Sequence, residues 1–427
     1  GLGDVYKRQG QGIFMNLDRE TERTKDNLFT GYRNMDIQGG LRWFILDSGV
    51  TRLPAVPDGA NDYSFENMVK STHGWLAVYN HEQKLNDHWD TFFNFGMQRN
   101  DLDRNIMANG GSGYVLKNDG SFAVTARPGS TPQEYYYWQV GTTAHYNTGK
   151  VKHDITLSYN QAWRNRKTAY NNGSLVTIET GDLYSGIDQF APAPTKFSTR
   201  WNNKTRVKSF SAVDSMKYDK WDVIVGIHKH KAVSNAYKYK NATSEELNTI
   251  DRVATDDTSP TYGIIYHPSE NWSLYASHSE NFDAGTGVNT TFENSGDVLP
   301  PLKTKQNEIG VKYKKNDLLY TLALFDIRQD NLISVYKTGY SKPFQSKDGE
   351  ARHKGVEFSV NGKLTDKWNI LGGFSYLDAK QEKTTNGTLN GKRVNGTSQR
   401  NAVLGLEYNP DENWSVLGLS LIHISEP

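Results

Sequence analysis

The sequence contains no cysteine, and none of its 427 residues belongs to an apolar run near the length of a membrane helix. The absence of cysteine excludes disulfides, thiolate metal sites and cysteine nucleophiles within this chain. A helix that crosses a bilayer needs about 20 consecutive apolar residues, so we exclude helical insertion. If this chain crosses a membrane, it crosses with β-strands.

An excess of one charge is also lacking, because 49 Lys and Arg residues face 48 Asp and Glu residues. A net charge of +1 gives no overall field that would attract nucleic acid, and we predict no such partner. Hydrophobic residues make up only 36% of the chain and the mean hydropathy is -0.71, although aromatics reach 12%. A water-filled barrel needs apolar residues only at alternate positions, so this composition favours a barrel over a soluble core.

Alternating segments joined by polar turns follow one another from Ser71 onward. In one of them, Trp221 and Val223 fall on one face of a strand while Asp222 and Ile224 fall on the other. We count about fourteen strands after Ser71 and one or two before it, in a family of folds that reaches about 22 strands. The predicted fold is therefore all-β, an antiparallel up-and-down transmembrane β-barrel of which this chain supplies about 14–16 strands.

The short turns share a signature of an acid, a polar residue and a tryptophan. Five copies start at Asp87, Asp219, Glu270, Asp366 and Glu412 and end at Trp89, Trp221, Trp272, Trp368 and Trp414. Asn316 and Asp317, followed by Leu318, occupy the place of a missing copy. An indole has an apolar body and a polar N–H, so five of them at one level predict an aromatic rim at a membrane boundary.

Connection lengths distinguish this interpretation from a soluble β-sandwich or solenoid in which the tryptophans cap a core. The long connections, about residues 167–203, 238–259, 283–301 and 337–350, alternate with the short turns. Short turns at one end and long loops at the other are typical of outer-membrane barrels.

The two ends of the chain do not continue these patterns. Residues 1–9 and 419–427 resemble translated sequencing-adapter sequence, and we expect them to be a non-native leader and tail. The barrel portion is then residues 10–418, which we expect to be cut short at both ends.

Five segments follow one another in a specific order: residues 274–282 (LYASHSENF), 302–313 (LKTKQNEIGVKY), 322–331 (LALFDIRQDN), 349–360 (GEARHKGVEFSV) and 364–379 (LTDKWNILGGFSYLDA). In this order they resemble siderophore receptors of the TonB-dependent family. Residues 39–58 resemble the long loop after an early barrel strand of that family, whereas residues 393–399 depart from a proline-containing stretch that many members have. The similarity spans about residues 10–418.

The resemblance implies a monomeric receptor and active transporter in the Gram-negative outer membrane, in contact with its lipid. Its ligand would be a ferric siderophore, and the TonB–ExbB–ExbD complex would energise it through a plug domain that lies outside this chain. Other ligands on the same scaffold remain open: cobalamin, haem, another metal chelate or a carbohydrate. A passive porin, a surface adhesin and a solenoid enzyme are the alternatives from other classes.

The resemblance implies that the ligand binds in an external vestibule, among aromatic and basic side chains of the loops and the plug. Loop aromatics can stack on a planar or apolar ligand, and arginines can pair with its negative charge. The aromatic candidates are Trp43, Phe44, Tyr63, Tyr114, Tyr184, Trp201, Tyr239, Phe282, Phe292, Tyr340 and Phe344, and the basic ones are Arg42, Arg127 and Arg200.

No motif for catalysis or metal binding withstands inspection. Asp101 and Asp103 begin like a calcium loop, but Ile106 stands where that loop requires glycine. His228 and His230 share a strand face without a third ligand. We predict no enzymatic activity, no resident cofactor and no metal site.

Overall fold

A computed structural model of the chain describes residues 8–38, 44–47, 49–58, 61, 63, 69–108, 114–170, 176–186, 199–239, 247–283, 285, 287–288, 291–295 and 297–424. Almost all of this is β-strand. The strands are β1 (Arg8–Glu20), β2 (Thr24–Gln38), β3 (Phe44–Leu46), β4 (Val69–Asn86), β5 (Trp89–Ala108), β6 (Tyr114–Leu116), β7 (Ser121–Ser130), β8 (Gln133–Thr148), β9 (Val151–Tyr170), β10 (Val176–Asp182), β11 (Thr199–Tyr218), β12 (Trp221–Tyr239), β13 (Leu247–Ser269), β14 (Trp272–Asp283), β15 (Leu302–Lys315), β16 (Leu318–Val335), β17 (Phe344–Thr365), β18 (Trp368–Lys383), β19 (Arg400–Asp411) and β20 (Trp414–Ile424).

Sixteen of these strands form one antiparallel meander. The order is β1, β2, β4, β5, β8, β9 and then β11 to β20, each paired with the next. This confirms the predicted all-β architecture and its strand number. The described part of the chain contains no helix long and apolar enough to serve as a membrane span.

Short turns lie at one end of the meander, which we call the turn end. Seven of them have two residues, and the turn between β1 and β2 has three. Asp219 and Asn316 adopt positive φ values of 51° and 53° there, as hairpin turns matched to the strand twist require. The long connections all lie at the opposite end, the loop end, so the predicted asymmetry is confirmed.

The strands are longer at the loop end than the sequence suggested. Residues 247–259, expected to be part of a loop, belong to β13 and pair with β12. That expectation was wrong because the apolar residues of the segment do not alternate: Leu247, Ile250 and Val253 are spaced three apart. Its backbone ladder does not depend on apolar side chains, since the hydrogen bonds run between the strands.

The two faces of the meander differ in chemistry. Cross-strand register places Trp221, Val223, Val225 and Ile227 on one face, which we call the outer face. The inner face carries mainly polar and charged side chains and glycines; Ser209 and Ser211 of β11, for example, lie opposite His230 and His228 of β12.

Backbone hydrogen bonds also join neighbouring hairpins at the turn end. The N–H of His267 donates to the carbonyl of Lys220, that of Lys314 to Asn271 and that of Asn409 to Lys367, each at 2.8 Å. Each bond connects a two-residue turn to the adjacent strand. The turns are therefore fixed to their neighbours at one common level.

The predicted leader and tail overlap the first and last strands. β1 starts at Arg8, and β20 continues to Ile424, with residues 419–424 paired to residues 400–405 of β19. Strand pairing does not reveal the origin of these segments, so the non-native leader and tail remain a prediction.

Candidate functional site

The loop end carries the side chains that could recognise a ligand. Four short strands lie there outside the meander: β3 pairs in parallel with β6, β6 pairs with β7, and β7 pairs with β10. They come from the three connections that follow β2, β5 and β9. These connections thus fold together as one unit, which we call the first loop cluster (β3, β6, β7, β10 and residues 49–58, 61, 63, 117–120 and 183–186).

An aromatic core holds the first loop cluster together. The ring of Phe44 lies 5.2 Å from that of Tyr63 and 5.3 Å from that of Phe122, and Phe122 is fully buried. Edge-on contacts of this kind add about 0.5–1.5 kcal/mol each beyond burial. Phe44 and Tyr63 were predicted to contact a ligand, and the structure uses their rings for packing between loops.

Polar contacts add to this core. The Tyr63 hydroxyl donates to the Leu183 carbonyl at 2.8 Å, and the Asn61 amide donates to the same oxygen at 2.9 Å. Asn118 accepts from the Thr51 N–H at 3.1 Å. These bonds connect residues that are far apart in the sequence, so none of the three connections is held by its own residues alone.

A second loop cluster is formed by the connections β14–β15 and β16–β17 (residues 291–295 and 336–345). Thr385 of the β18–β19 connection accepts a hydrogen bond at 3.0 Å from the N–H of Ser334 in β16 beside it. Asn294 exchanges two hydrogen bonds with the backbone of Gln345, at 2.9 and 3.2 Å. The Lys337 ammonium lies 4.1 Å from the centre of the Phe344 ring, and Tyr340 meets the same ring edge-on at 4.9 Å. The Phe344 ring, which was predicted to contact a ligand, therefore packs against side chains of the same chain.

Apart from Phe44, Tyr63 and Phe344, whose rings pack within the loop clusters, the predicted ligand-binding residues divide into three groups. Tyr184 and Tyr340 remain accessible, with 47% and 54% of their surface exposed. Phe282 is half-buried against His230, with 4.7 Å between the ring centres, and Trp201 and Phe292 are half-buried. Arg42 and Trp43, and the side chains of Tyr114, Arg127, Arg200 and Tyr239, lie outside the described part.

The five rim tryptophans lie together at the turn end. Each is the first residue of a strand, on the outer face, immediately after a two-residue turn. Trp89, Trp221, Trp272 and Trp368 are between 41% and 46% exposed. Their placement matches the repeat seen in the sequence, and their role at a membrane boundary stays a prediction.

Two features of the strands were missed in the sequence. On the inner face, His145 of β8 lies between the carboxylates of Asp90 and Asp154, at 2.9 and 2.6 Å, and connects three strands. On the outer face, Trp138 and Trp163 lie near the loop end, in register rows that also contain Phe95 and Tyr136. The members of each group come from the three strands β5, β8 and β9, so strand register is what brings them together.

Among the described residues, no group of three or more His, Asp or Glu side chains is arranged to hold a metal. His228 and His230 instead bond through Nδ1 to Ser211 and Ser209, both at 2.8 Å.

Comparison with known families decides what kind of sheet this is. Residues 11–426 match the model of the family described as TonB dependent receptor-like, beta-barrel. This chain belongs to the TonB-dependent receptor family. It is a β-barrel protein of the Gram-negative outer membrane, from a family of receptors and not of enzymes. The outer face of the meander is thus the lipid-facing wall and the inner face lines the lumen.

Relatives of this TonB-dependent receptor have names that specify their ligands. The ferrichrome receptor FcuA of Yersinia enterocolitica is 24% identical over 94% of this chain and 52% of its own length. The metal-pseudopaline receptor CntO of Pseudomonas aeruginosa is 23% identical over 71% of this chain and 43% of its own length. The chain therefore spans about half the length of the curated relatives it matches.

Solved structures show the same fold. BauA, the ferric preacinetobactin receptor of Acinetobacter baumannii, superposes with a TM-score of 0.84 over 97% of this chain and 61% of its own, at 19% identity. The siderophore receptor PiuA of the same organism gives a TM-score of 0.76 over 97% of this chain and 64% of its own, at 18% identity. At such identities the likeness concerns the fold alone.

Proposed function

We propose that this chain forms the barrel wall of an outer-membrane receptor that imports an iron–siderophore complex. The observation that carries the proposal is the ligand chemistry of its relatives. Receptors named for ferrichrome, a metal-pseudopaline complex and ferrioxamine B match 94%, 71% and 56% of this chain. These ligands share a metal chelated by a small organic molecule, although the molecules differ.

The loop end supplies suitable surfaces for such a ligand. Tyr184 in the first loop cluster and Tyr340 in the second are both exposed. Their rings can stack on the organic part of a chelate, and neighbouring basic side chains can balance its negative charge. We propose that the ligand binds above the two clusters, with the packed rings of Phe44, Tyr63 and Phe344 as supports.

Transport requires partners beyond this chain. We propose that a plug domain occupies the lumen and that the TonB–ExbB–ExbD complex energises its rearrangement, with the receptor acting as a monomer. The polar inner face supports this arrangement, because hydroxyl, amide and imidazole groups can hydrogen-bond a protein domain or water but not lipid.

The test is a binding titration of the complete gene product in detergent, followed by tryptophan fluorescence. Ferrichrome, ferrioxamine B, ferric citrate and a ferric catecholate form the panel, and the iron-free molecules, haem, cobalamin and a maltodextrin form the controls. We expect saturable quenching by one ferric chelate at sub-micromolar concentration. Binding of haem, cobalamin or sugar alone would keep the barrel and refute the siderophore assignment. Free diffusion of small sugars into liposomes would indicate a porin.

A further inference from the structure

A groove opens on the outer face near the loop end of β5, β8, β9 and β11, with a volume of about 730 Å³. Its floor is aromatic, with contributions from Phe95, Tyr136, Trp138 and Trp163. Its upper border is basic, formed by Lys204 and Arg206 of β11. The siderophore proposal does not use this groove, because it faces away from the lumen.

Strand register explains why these residues meet. Tyr136 pairs with Trp163, and Trp163 pairs with Arg206, so the three lie in one row across β8, β9 and β11. Lys204 and Arg206 are two residues apart and share the outer face. The aromatic floor thus ends directly at two cations.

The height of the groove corresponds to a membrane boundary. Arg206 lies twelve residues along β11 from Tyr218, the last residue before the turn end. At about 3.3 Å per residue and a tilt near 40°, this is roughly 30 Å along the barrel axis. The apolar band of such barrels is about 25 Å tall, so the row of Tyr136, Trp163 and Arg206 lies at the upper edge of the hydrocarbon. Lys204, two residues nearer the loop end, lies just beyond that edge.

The charge of the groove is positive. Its acid, Glu134, accepts a hydrogen bond from Asn165 at 3.0 Å and lies 3.9 Å from Arg99. Within the described part of the chain, no carboxylate is within 4.0 Å of Arg206 or of Lys208, the next outward residue of β11. The Lys204 ammonium lies 5.6 Å from the centre of the Tyr237 ring, a contact that leaves its charge unneutralised. Lys204, Arg206 and Lys208 can therefore bind an external anion from alternate positions of β11.

We propose that this groove binds a membrane lipid with a phosphate in its headgroup. The acyl chains would lie on the rings of Tyr136 and Trp163, and the phosphate would accept hydrogen bonds from Arg206 and Lys204. Charge complementarity favours an anionic lipid over a zwitterionic one. The headgroup of an anionic lipid has a net negative charge, and each basic side chain near the membrane surface stabilises that charge. An aromatic floor without the cations would suit any acyl chain equally.

The test measures lipid retention on the complete gene product by native mass spectrometry in a zwitterionic detergent. Dioleoyl-phosphatidylglycerol and dioleoyl-phosphatidylcholine are the probes. We expect phosphatidylglycerol to be retained about tenfold more strongly, and the variant K204Q/R206Q/K208Q to lose that preference. The matched control is Lys354→Gln, an exposed outer-face cation of β17 that lies eleven residues from Thr365, and it should retain the preference.

Three results would overturn the proposal. They are equal retention of phosphatidylcholine, unchanged retention by the triple variant, and complete displacement of the lipid by soluble glycerol phosphate, which would indicate a site for small anions. Heat-modifiable mobility on a gel checks that the triple variant is folded. If the triple variant is not folded, the retention of the two lipids is compared on the single variant Arg206→Gln instead.

Discussion

The indole ring of Trp272 lies 4.3 Å from the phenol ring of Tyr313, its register partner on the neighbouring strand. The same relationship recurs between Trp221 and Tyr266 at 4.4 Å and between Trp368 and Tyr408 at 4.6 Å. In each case the first residue of one hairpin strand stacks on the adjacent hairpin. These pairs therefore join hairpins laterally at the turn end.

Removal of one stacked indole should destabilise the barrel more than removal of an isolated one. We expect Trp272→Ala to lower the free energy of unfolding by about 1 kcal/mol more than Trp414→Ala, because only Trp272 loses a stacked ring. Trp414 is 70% exposed and is the matched control at the same level. Urea unfolding of the complete receptor in lipid vesicles measures both. Equal losses would show that the Tyr313 contact contributes nothing.

A glycine on the inner face is required by a ring that covers it. A Cβ added at Gly310 would lie 2.5 Å from the ring of Tyr275 on the adjacent strand, whereas one at Gly263 would have its nearest neighbour at 3.5 Å. Gly310→Ala should cost roughly 1–3 kcal/mol of stability, and Gly263→Ala should cost much less. The double variant G310A/Y275A should recover part of the loss, since the clash is removed. Thermal unfolding measures all three, and failure of the double variant to recover would exclude the clash as the cause.

The first loop cluster should depend on Phe122. We expect Phe122→Ala to open the cluster, at a cost of about 3–5 kcal/mol, because a fully buried ring is lost. The meander should survive, since its ladder is independent of this core. Limited proteolysis should then cut the connections after β2, β5 and β9 in the variant, while heat-modifiable mobility persists. Leu53→Ala, at a position that is 74% exposed, is the control and should leave the cleavage pattern unchanged.

The exposed loop tyrosines should contribute to ligand affinity. We expect Tyr184→Ala and Tyr340→Ala each to weaken binding of the quenching ferric chelate about fivefold to tenfold, as the loss of one aromatic contact predicts. Val56→Ala, at a position that is 93% exposed in the first loop cluster, should leave the dissociation constant unchanged. Unaltered affinity in both tyrosine variants would place the ligand elsewhere on the receptor.

The sequence was sufficient for the architecture at the turn end. Side chains alternate with a period of two, so the faces of β12 could be read from Trp221 to His228 before any pairing was known. The acid–polar–Trp turns marked five strand starts, and the lengths of the connections separated the two ends. These signals are local, and local geometry fixes them.

The sequence was less informative at the loop end. There the apolar residues do not alternate, so residues 247–259 resembled a loop. The aromatic candidates could not be sorted either, because Phe44 and Tyr184 look alike in sequence, although one packs against Phe122 and the other is exposed. Their environments depend on contacts among three separate connections.

What the sequence by itself determined is the strand period, the turn positions and the face of each residue. Tertiary structure alone decided which residues on a face are neighbours: Trp272 with Tyr313, Tyr275 over Gly310, and Trp163 beside Arg206. The physical reason is register. Alternation specifies the side of the sheet, but a shift of two residues along a strand keeps that side and replaces every partner, so only the folded sheet selects the pairs.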